Sequence, residues 1–402
     1  MKKIFITFVL IILLLCSCES GDTDFSDITS LPETPDTQVF APYPDNIEDP
    51  SEDDFMYTPA DSDKLIGVWI SQYDITKAMC SKDGQIPAGE YAAYIDNMCK
   101  ELKNKRYNAL FVQVRPFGDS FYPSEYYPPS KFAVGAYGND FEYDPIALFV
   151  SAAHTYGLEF HAWVNPFRLM EEKEISLIPE DSPIRQLLSW GKLSLYNGRY
   201  YLRPSDEAAC ALILNGIGEI ITKYNVDGIH FDDYFYPTAD PAFDAEDFAA
   251  SGETRLQMWR RKNISDFVSR VYSYIKSLDA DCVFGISPAG NMHYTYSVCC
   301  TDIYKWCSSE GYVDYIMPQI YFGYTHSTAP FSQMVSKWAD IIKTPHVKLY
   351  IGLAAYKQGA ADNNAGDGKN EWITDKELLK KQADECIERC DGYNMFSYGY
   401  IN

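Results

Sequence analysis

Eight short β-rich runs separated by amphipathic helical stretches organise the chain from Ile66 onward, and this repetition restricts the fold more than any other feature. The runs cover residues 67–71, 109–116, 159–166, 226–233, 283–288, 313–321, 347–355 and 393–398. Helical patterns at 90–105, 145–156, 207–224, 258–278, 303–310, 331–342 and 375–389 each precede the next run. Apolar strands alternating with helices predict a parallel sheet buried on both faces. Eight units over this length predict a (β/α)8 TIM barrel. The rival, a doubly wound open sheet, would more often carry a glycine-rich dinucleotide loop. Gly135-Ala-Tyr-Gly138 lacks the strand and helix flanks such a loop needs. The chain stops soon after the eighth run, so the last barrel helix is expected to be missing or replaced, with part of 39–64 a possible cover.

In such barrels the reactive side chains stand at the C-terminal ends of the strands. The sequence is unusually polar there: Gln113, Arg115 and Asp119 at the end of the second run, Asn165 and Arg168 at the end of the third, His230, Asp232 and Asp233 at the end of the fourth, Asn291 at the end of the fifth, Gln319 and Tyr321 at the end of the sixth. Side chains alternate along a strand. His230 and Asp232 therefore share a face, as do His161, Trp163 and Asn165, and as do Gln319 and Tyr321. Inward-facing polar residues cost free energy unless partnered, so several at one level suggest a site.

These strand-end residues resemble those of glycosyl-hydrolase-like barrels, and the glycosidic cleavage that this resemblance implies normally needs two carboxyl groups, one to protonate the leaving oxygen and one to act as nucleophile or to activate water. Asp232 is the first candidate. Asp233 is the adjacent second, although alternation sends it to the other face unless the strand has ended. Asp74, Asp119 and Asp302 lie on other loops and none stands out. An acetamido group of the sugar could instead serve as nucleophile. Arg115, Asn165, Arg168, His230, Asn291 and Gln319 are expected to bind sugar hydroxyls or acetamido groups. Trp163, Tyr234, Tyr236 and Tyr321 are expected to offer stacking faces, in a chain with 32 tyrosines.

These motifs carry a family resemblance. Ile229-His-Phe-Asp-Asp-Tyr-Phe-Tyr-Pro237 resembles the signature of the glycosyl-hydrolase-like family 10 bacterial lipoproteins. Val112-Gln-Val-Arg-Pro116, His161-Ala-Trp-Val-Asn-Pro166, Tyr200-Tyr-Leu-Arg-Pro204 and Ile316-Met-Pro-Gln-Ile-Tyr321 are similar to its other motifs. The resemblance runs from about Lys64 to the end. It implies a glycosidase-type (β/α)8 barrel related to α-amylase-type and poly-N-acetylglucosamine hydrolase barrels, with the acid at the end of strand 4, here Asp232, taking part directly. The family usually has Asn or Asp where this chain has Arg203, so contacts near that loop are expected to differ.

The first residues point to export. Lys2 and Lys3 precede an apolar run too short for a stable span, which leads into Leu15-Cys-Ser-Cys18. This resembles a lipobox and implies a lipoprotein signal peptide over 1–17, cleavage before Cys18 and lipidation of its thiol, placing the protein outside the cytoplasm on a bacterial membrane. Residues 18–63 hold 14 acidic residues and no basic one, with no periodicity, and are expected to form a disordered tether. The barrel is expected over 64–402. Of the formal charge of −23, this body carries −11, and no basic face offers itself to nucleic acid. The nine cysteines beyond Cys18 are odd in number and lack paired Cys-x2-Cys spacing, so free buried thiols are expected rather than disulfides or a metal site.

The expected function is a cell-surface glycosidase acting on a polysaccharide or a cell-wall or exopolysaccharide glycan, with no cofactor. Two alternatives remain open: a non-catalytic glycan-binding lipoprotein on the same barrel, and a metal-dependent hydrolase using His161, His230 and Asp232.

Overall fold

The computed structural model describes residues 63–401. The expected signal peptide, Cys18 lipidation site and nearly all of the tether lie outside the described residues.

Eight parallel strands close into a barrel: β1 (Leu65–Ile70), β2 (Ala109–Arg115), β3 (Glu159–Val164), β4 (Gly228–Phe231), β5 (Val283–Ile286), β6 (Tyr315–Ile316), β7 (Lys348–Ala354) and β8 (Gly392–Phe396). Closure comes from β1, which pairs with β2 through Gly67↔Ala109 and with β8 through Leu65↔Gly392. That double pairing removes the open-sheet alternative. The outer ring is α1 (Ala88–Asn104), α2 (Pro145–Thr155), α3 (Glu207–Lys223), α4 (Leu256–Leu278), α5 (Ile303–Ser308), α6 (Phe331–Ile341) and α7 (Leu378–Arg389).

Local chemistry sets these elements. Asp144 accepts from the Ile146 and Ala147 amides and Pro145 occupies the first turn, so α2 starts there. Its buried Ile146, Phe149, Val150 and Ala153 recur at helical spacing and turn one face to the sheet. The sixth run is expected over 313–321, yet β6 spans only two residues. Pro318 has no N–H to donate, and the chain continues as isolated bridges of Gln319 to Ala289 and Gly352. After β8 the described chain makes a 3-10 turn, Tyr398–Tyr400. Asp74 ties it down, accepting from the Ser397 hydroxyl at 3.1 Å and the Gly399 amide at 2.9 Å.

Two apolar cores result. A large one lies between strands and helices, and a small one inside the barrel contains Trp69, Phe111, Trp163, Tyr315 and Met317. Gly228 and Gly285 serve that interior: a β-carbon on either would strike the His161 ring or the Tyr315 ring. All nine described cysteines are buried and unbonded.

Long loops lie over the strand ends. After β3 the chain builds a three-stranded antiparallel sheet from Arg168–Glu171, Leu193–Tyr196 and Arg199–Leu202. After β4 it folds into a short helix, Ala245–Ser251, pinned by a fully buried ion pair of Arg260 with Asp244.

Candidate active site

Alternation along β4 sends His230 into the barrel and carries Asp232 to its lip, just past the last strand residue, Phe231. Both are almost sealed from water. His230 fills the floor. The Trp69 indole, which can only donate, gives its N–H to His230 Nε2 at 3.2 Å. That leaves the single proton on Nδ1, which faces the Tyr315 hydroxyl at 2.9 Å, while the Ser287 hydroxyl approaches Nε2 at 3.0 Å. Burial, with the nearby His161, holds the His230 pKa well below its ordinary value, so the ring is neutral.

Asp232 meets a different environment. Trp163 Nε1 donates to Oδ2 at 3.1 Å, and the Tyr234 amide donates to Oδ1 at 3.3 Å. Burial pushes the carboxyl up, the positive charge of Arg168 opposes this, and the charge of Asp233 adds to it, with the result raised to about 7. The Arg168 guanidinium lies 3.8 Å from the centre of the Tyr234 ring and 4.7 Å from that of Phe117. Asp233 is half-buried. Burial pushes up the Tyr294 and Tyr321 phenols and the Cys299 thiol on the loops after β5 and β6, and the charge of Asp233 adds to this. A carboxyl that can hold a proton near neutrality, beside a second carboxyl, is suited to general acid chemistry.

The other expected site residues separate into two groups. Trp163, Arg168, Asp232, Asp233 and Tyr234 come together at the lip. Tyr321 joins the aromatic wall, 5.8 Å from Tyr356 and 6.1 Å from Phe396 between ring centres. The rest are engaged by the protein. Arg115 donates to the carbonyls of Asn165 and Pro166 at 2.7 and 2.6 Å and lies over the Tyr127 ring, a consequence of the bulge that turns β2 after Gln113. Asn165 is fully buried and accepts from Gln113 at 3.2 Å. Asn291 caps the helix Met292–Ser297, and Gln319 donates to the Ser287 carbonyl at 2.9 Å. Tyr236 packs inside its loop beneath Arg260.

The three other acids considered have structural work. Asp74 holds the turn after β8, Asp302 caps α5, and Asp119, fully buried, accepts from the Phe117 amide. His161 Nε2 faces Glu159 at 3.0 Å. No group of three or more His, Cys, Asp or Glu side chains among the described residues could hold a metal ion, which leaves the metal-hydrolase reading without a ligand set. Sequence reasoning missed Trp69, Phe117, Tyr294 and Phe396. Inward alternation of the first and eighth runs could have found Trp69 and Phe396; nothing local marks the other two.

A closed (β/α)8 barrel with paired carboxyls at the lip of its fourth strand is an architecture used by glycoside hydrolases. The chain belongs to the family described as glycosyl hydrolase-like 10, whose model matches residues 64–369. It is 32% identical over 325 residues to the glycosyl hydrolase YngK of Bacillus subtilis, a match covering 75% of this chain and 63% of that protein. The chain thus spans less than two thirds of YngK. It is 29% identical to the glycosyl hydrolase DigH of Escherichia coli K12 over 433 residues, 98% of this chain and 92% of DigH. Among solved structures it resembles the glycoside hydrolase domain of PgaB (BpsB) from Bordetella bronchiseptica, with a TM-score of 0.54, 13% identity, and coverage of 84% of this chain and 95% of that one. At that identity the likeness concerns the fold.

Proposed function

We propose that the protein is a glycoside hydrolase of the bacterial cell surface, held by lipid at Cys18, that cleaves a cell-wall or exopolysaccharide glycan with Asp232 as its proton donor. The observation that carries this reading is the environment of Asp232, a buried carboxyl raised to about 7 at the open end of the barrel. The protonated Asp232 gives its proton to the glycosidic oxygen as the bond from that oxygen to the anomeric carbon breaks. Asp233 stabilises the positive charge that develops on the sugar; water then adds to the anomeric carbon, directly or by opening the ring that the sugar's own acetamido oxygen has closed there, and gives its proton to the ionised Asp232, which restores the acid. Family membership and the similarity to two named glycosyl hydrolases support the reaction class. The lipobox-like sequence before Cys18 supports the anchor.

A second reading exchanges the two carboxyls. Asp232 is only 2% exposed whereas Asp233 is half-buried, which favours contact of Asp233 with substrate and a positioning role for Asp232.

The test is release of reducing ends from cell-wall, exopolysaccharide and host-type glycans by the wild type, Asp232→Asn and Asp233→Asn. The proposal expects Asp232→Asn to lose turnover while folding normally. Full activity in that variant overturns it. If Asp233→Asn is the dead variant and Asp232→Asn keeps a slow, pH-shifted rate, the second reading holds. Binding without cleavage, unchanged in Asp232→Asn, would make the protein a glycan binder.

A further inference from the structure

Of the seven tryptophans, six are under 10% exposed, whereas Trp190 is 61% exposed. It is the most exposed of nine large apolar side chains that face solvent among the described residues, and Leu177 and Leu195 of that set share its loop. The loop is the excursion between β3 and α3.

Trp190 is firmly held at its backbone. It ends the helix Pro183–Ser189, Gly191 follows with φ of 66°, and the chain closes as a Schellman turn: Gly191 N–H to the Leu188 carbonyl at 3.0 Å, Lys192 N–H to the Leu187 carbonyl at 2.9 Å. The Gly191 and Lys192 carbonyls then point at Arg203, whose Nη2 and Nε donate to them at 2.5 and 3.3 Å. Arg203 is also paired with Asp247 on the loop after β4 at 3.3 Å, and Lys192 with Asp206 at the start of α3 at 2.8 Å.

The α3 N-terminus and the β4 loop both stand at the C-terminal ends of the strands, so the turn lies on the same face of the barrel as Asp232. The sheet beside it is joined to the segment that follows β3 and carries Arg168 to the lip: the Leu202 amide donates to the Phe167 carbonyl at 2.8 Å, and Arg168 pairs with Tyr201. A solvent-facing indole on a fixed backbone costs little ordering entropy on binding and matches the apolar face of a pyranose ring.

We propose that Trp190, presented by the Arg203-locked turn, is a remote stacking subsite that binds a sugar ring of a long glycan whose other end lies at Asp232. This rests on the glycan-hydrolase reading above, and it gives the protein a preference for long chains over short ones.

The test uses the full chain carrying Asp232→Asn, so that ligand survives, and measures affinity for chitohexaose and chitobiose by calorimetry and by indole fluorescence. The parent is expected to bind the hexasaccharide more tightly than the disaccharide, with a blue shift from the one exposed indole. Adding Trp190→Ala should reduce the hexasaccharide-to-disaccharide affinity ratio about tenfold and abolish the shift. Trp190→Tyr should restore most of the ratio, and Arg203→Asn should lower it part of the way. An unchanged ratio in Trp190→Ala overturns the subsite while leaving the hydrolase reading intact. A parent that binds neither sugar, together with a failed glycan screen, overturns both.

Discussion

His230 and Asp232 stand two residues apart on one side of the chain, each almost sealed from water, and they end in opposite electrostatic states. On the barrel floor, neutral partners surround His230: an indole N–H, a serine hydroxyl and a phenol. They satisfy the uncharged ring, and burial does the rest, so its pKa falls. At the lip, Asp232 has two N–H donors and a guanidinium that favour its charged form, yet burial and Asp233 outweigh them and its pKa rises to about 7. Burial alone therefore does not mark a functional group. The floor resolves its polar residue into a packed plug. The lip leaves a carboxyl balanced between two protonation states, which is what proton transfer at neutral pH requires.

Turnover should separate the two most strongly. Asp232→Asn is expected to lower kcat by about 10²–10⁴-fold, the usual range for a lost general acid. His230→Ala is expected to act mainly on stability. It leaves the Trp69 N–H and Tyr315 hydroxyl without their partner in a new cavity, a loss of about 2–4 kcal/mol by denaturant unfolding. If His230→Ala were as stable as the wild type and catalytically dead, the division between floor and lip would be wrong.

The stability of the Asp232 variant tests the electrostatics directly. The folded carboxyl holds its proton to about pH 7, whereas the unfolded one releases it near 3.8. Folding therefore takes up a proton between those values, and this group's contribution to stability declines as pH rises from about 4 to about 7, by at most about 4 kcal/mol. His230 works in the opposite sense. Its folded pKa is depressed, so its contribution declines as pH falls below the ordinary value of 6.5. The two slopes oppose each other between about pH 4 and 6.5 in the wild type and part only in variants. Asp232→Asn should melt higher than the wild type at pH 8 and no higher at pH 4. Equal melting at both values would mean that Asp232 is not a shifted acid.

A subtler effect belongs to Trp163→Phe. Its lost N–H favoured the charged carboxylate, so the Asp232 pKa should rise further, by up to about one unit, and the alkaline limb of the kcat/KM profile should move up with it. The smallest expected change is in Tyr315→Phe, which removes a single buried hydrogen bond under His230 and should cost about 1 kcal/mol with no movement of the pH profile.

Much of this was legible in the residues. The eight runs and their helices are local patterns of burial and period, and all eight become strands of the barrel. That Asp232, Trp163, Arg168 and Tyr234 come together at one end of the barrel was legible because strand alternation and the position of strand ends are properties of a few consecutive residues. Arg115 and Asn291 looked the same in sequence but turned to the backbone, because a bulge in β2 and a helix cap depend on neighbours that the local text does not show. The long sixth run shrank to two residues because pairing on both sides, not propensity, decides where a strand can continue past a proline.

By itself the sequence determined the repeating units, their order and the carboxyl pair at the end of the fourth. Only the tertiary structure decided which inward polar residue became a neutral plug and which a carboxyl with a raised pKa. Hydropathy and alternation are written along the chain, whereas a pKa is set by charges and dipoles brought in from other strands: Trp69 and Tyr315 for His230, Trp163 and Arg168 for Asp232.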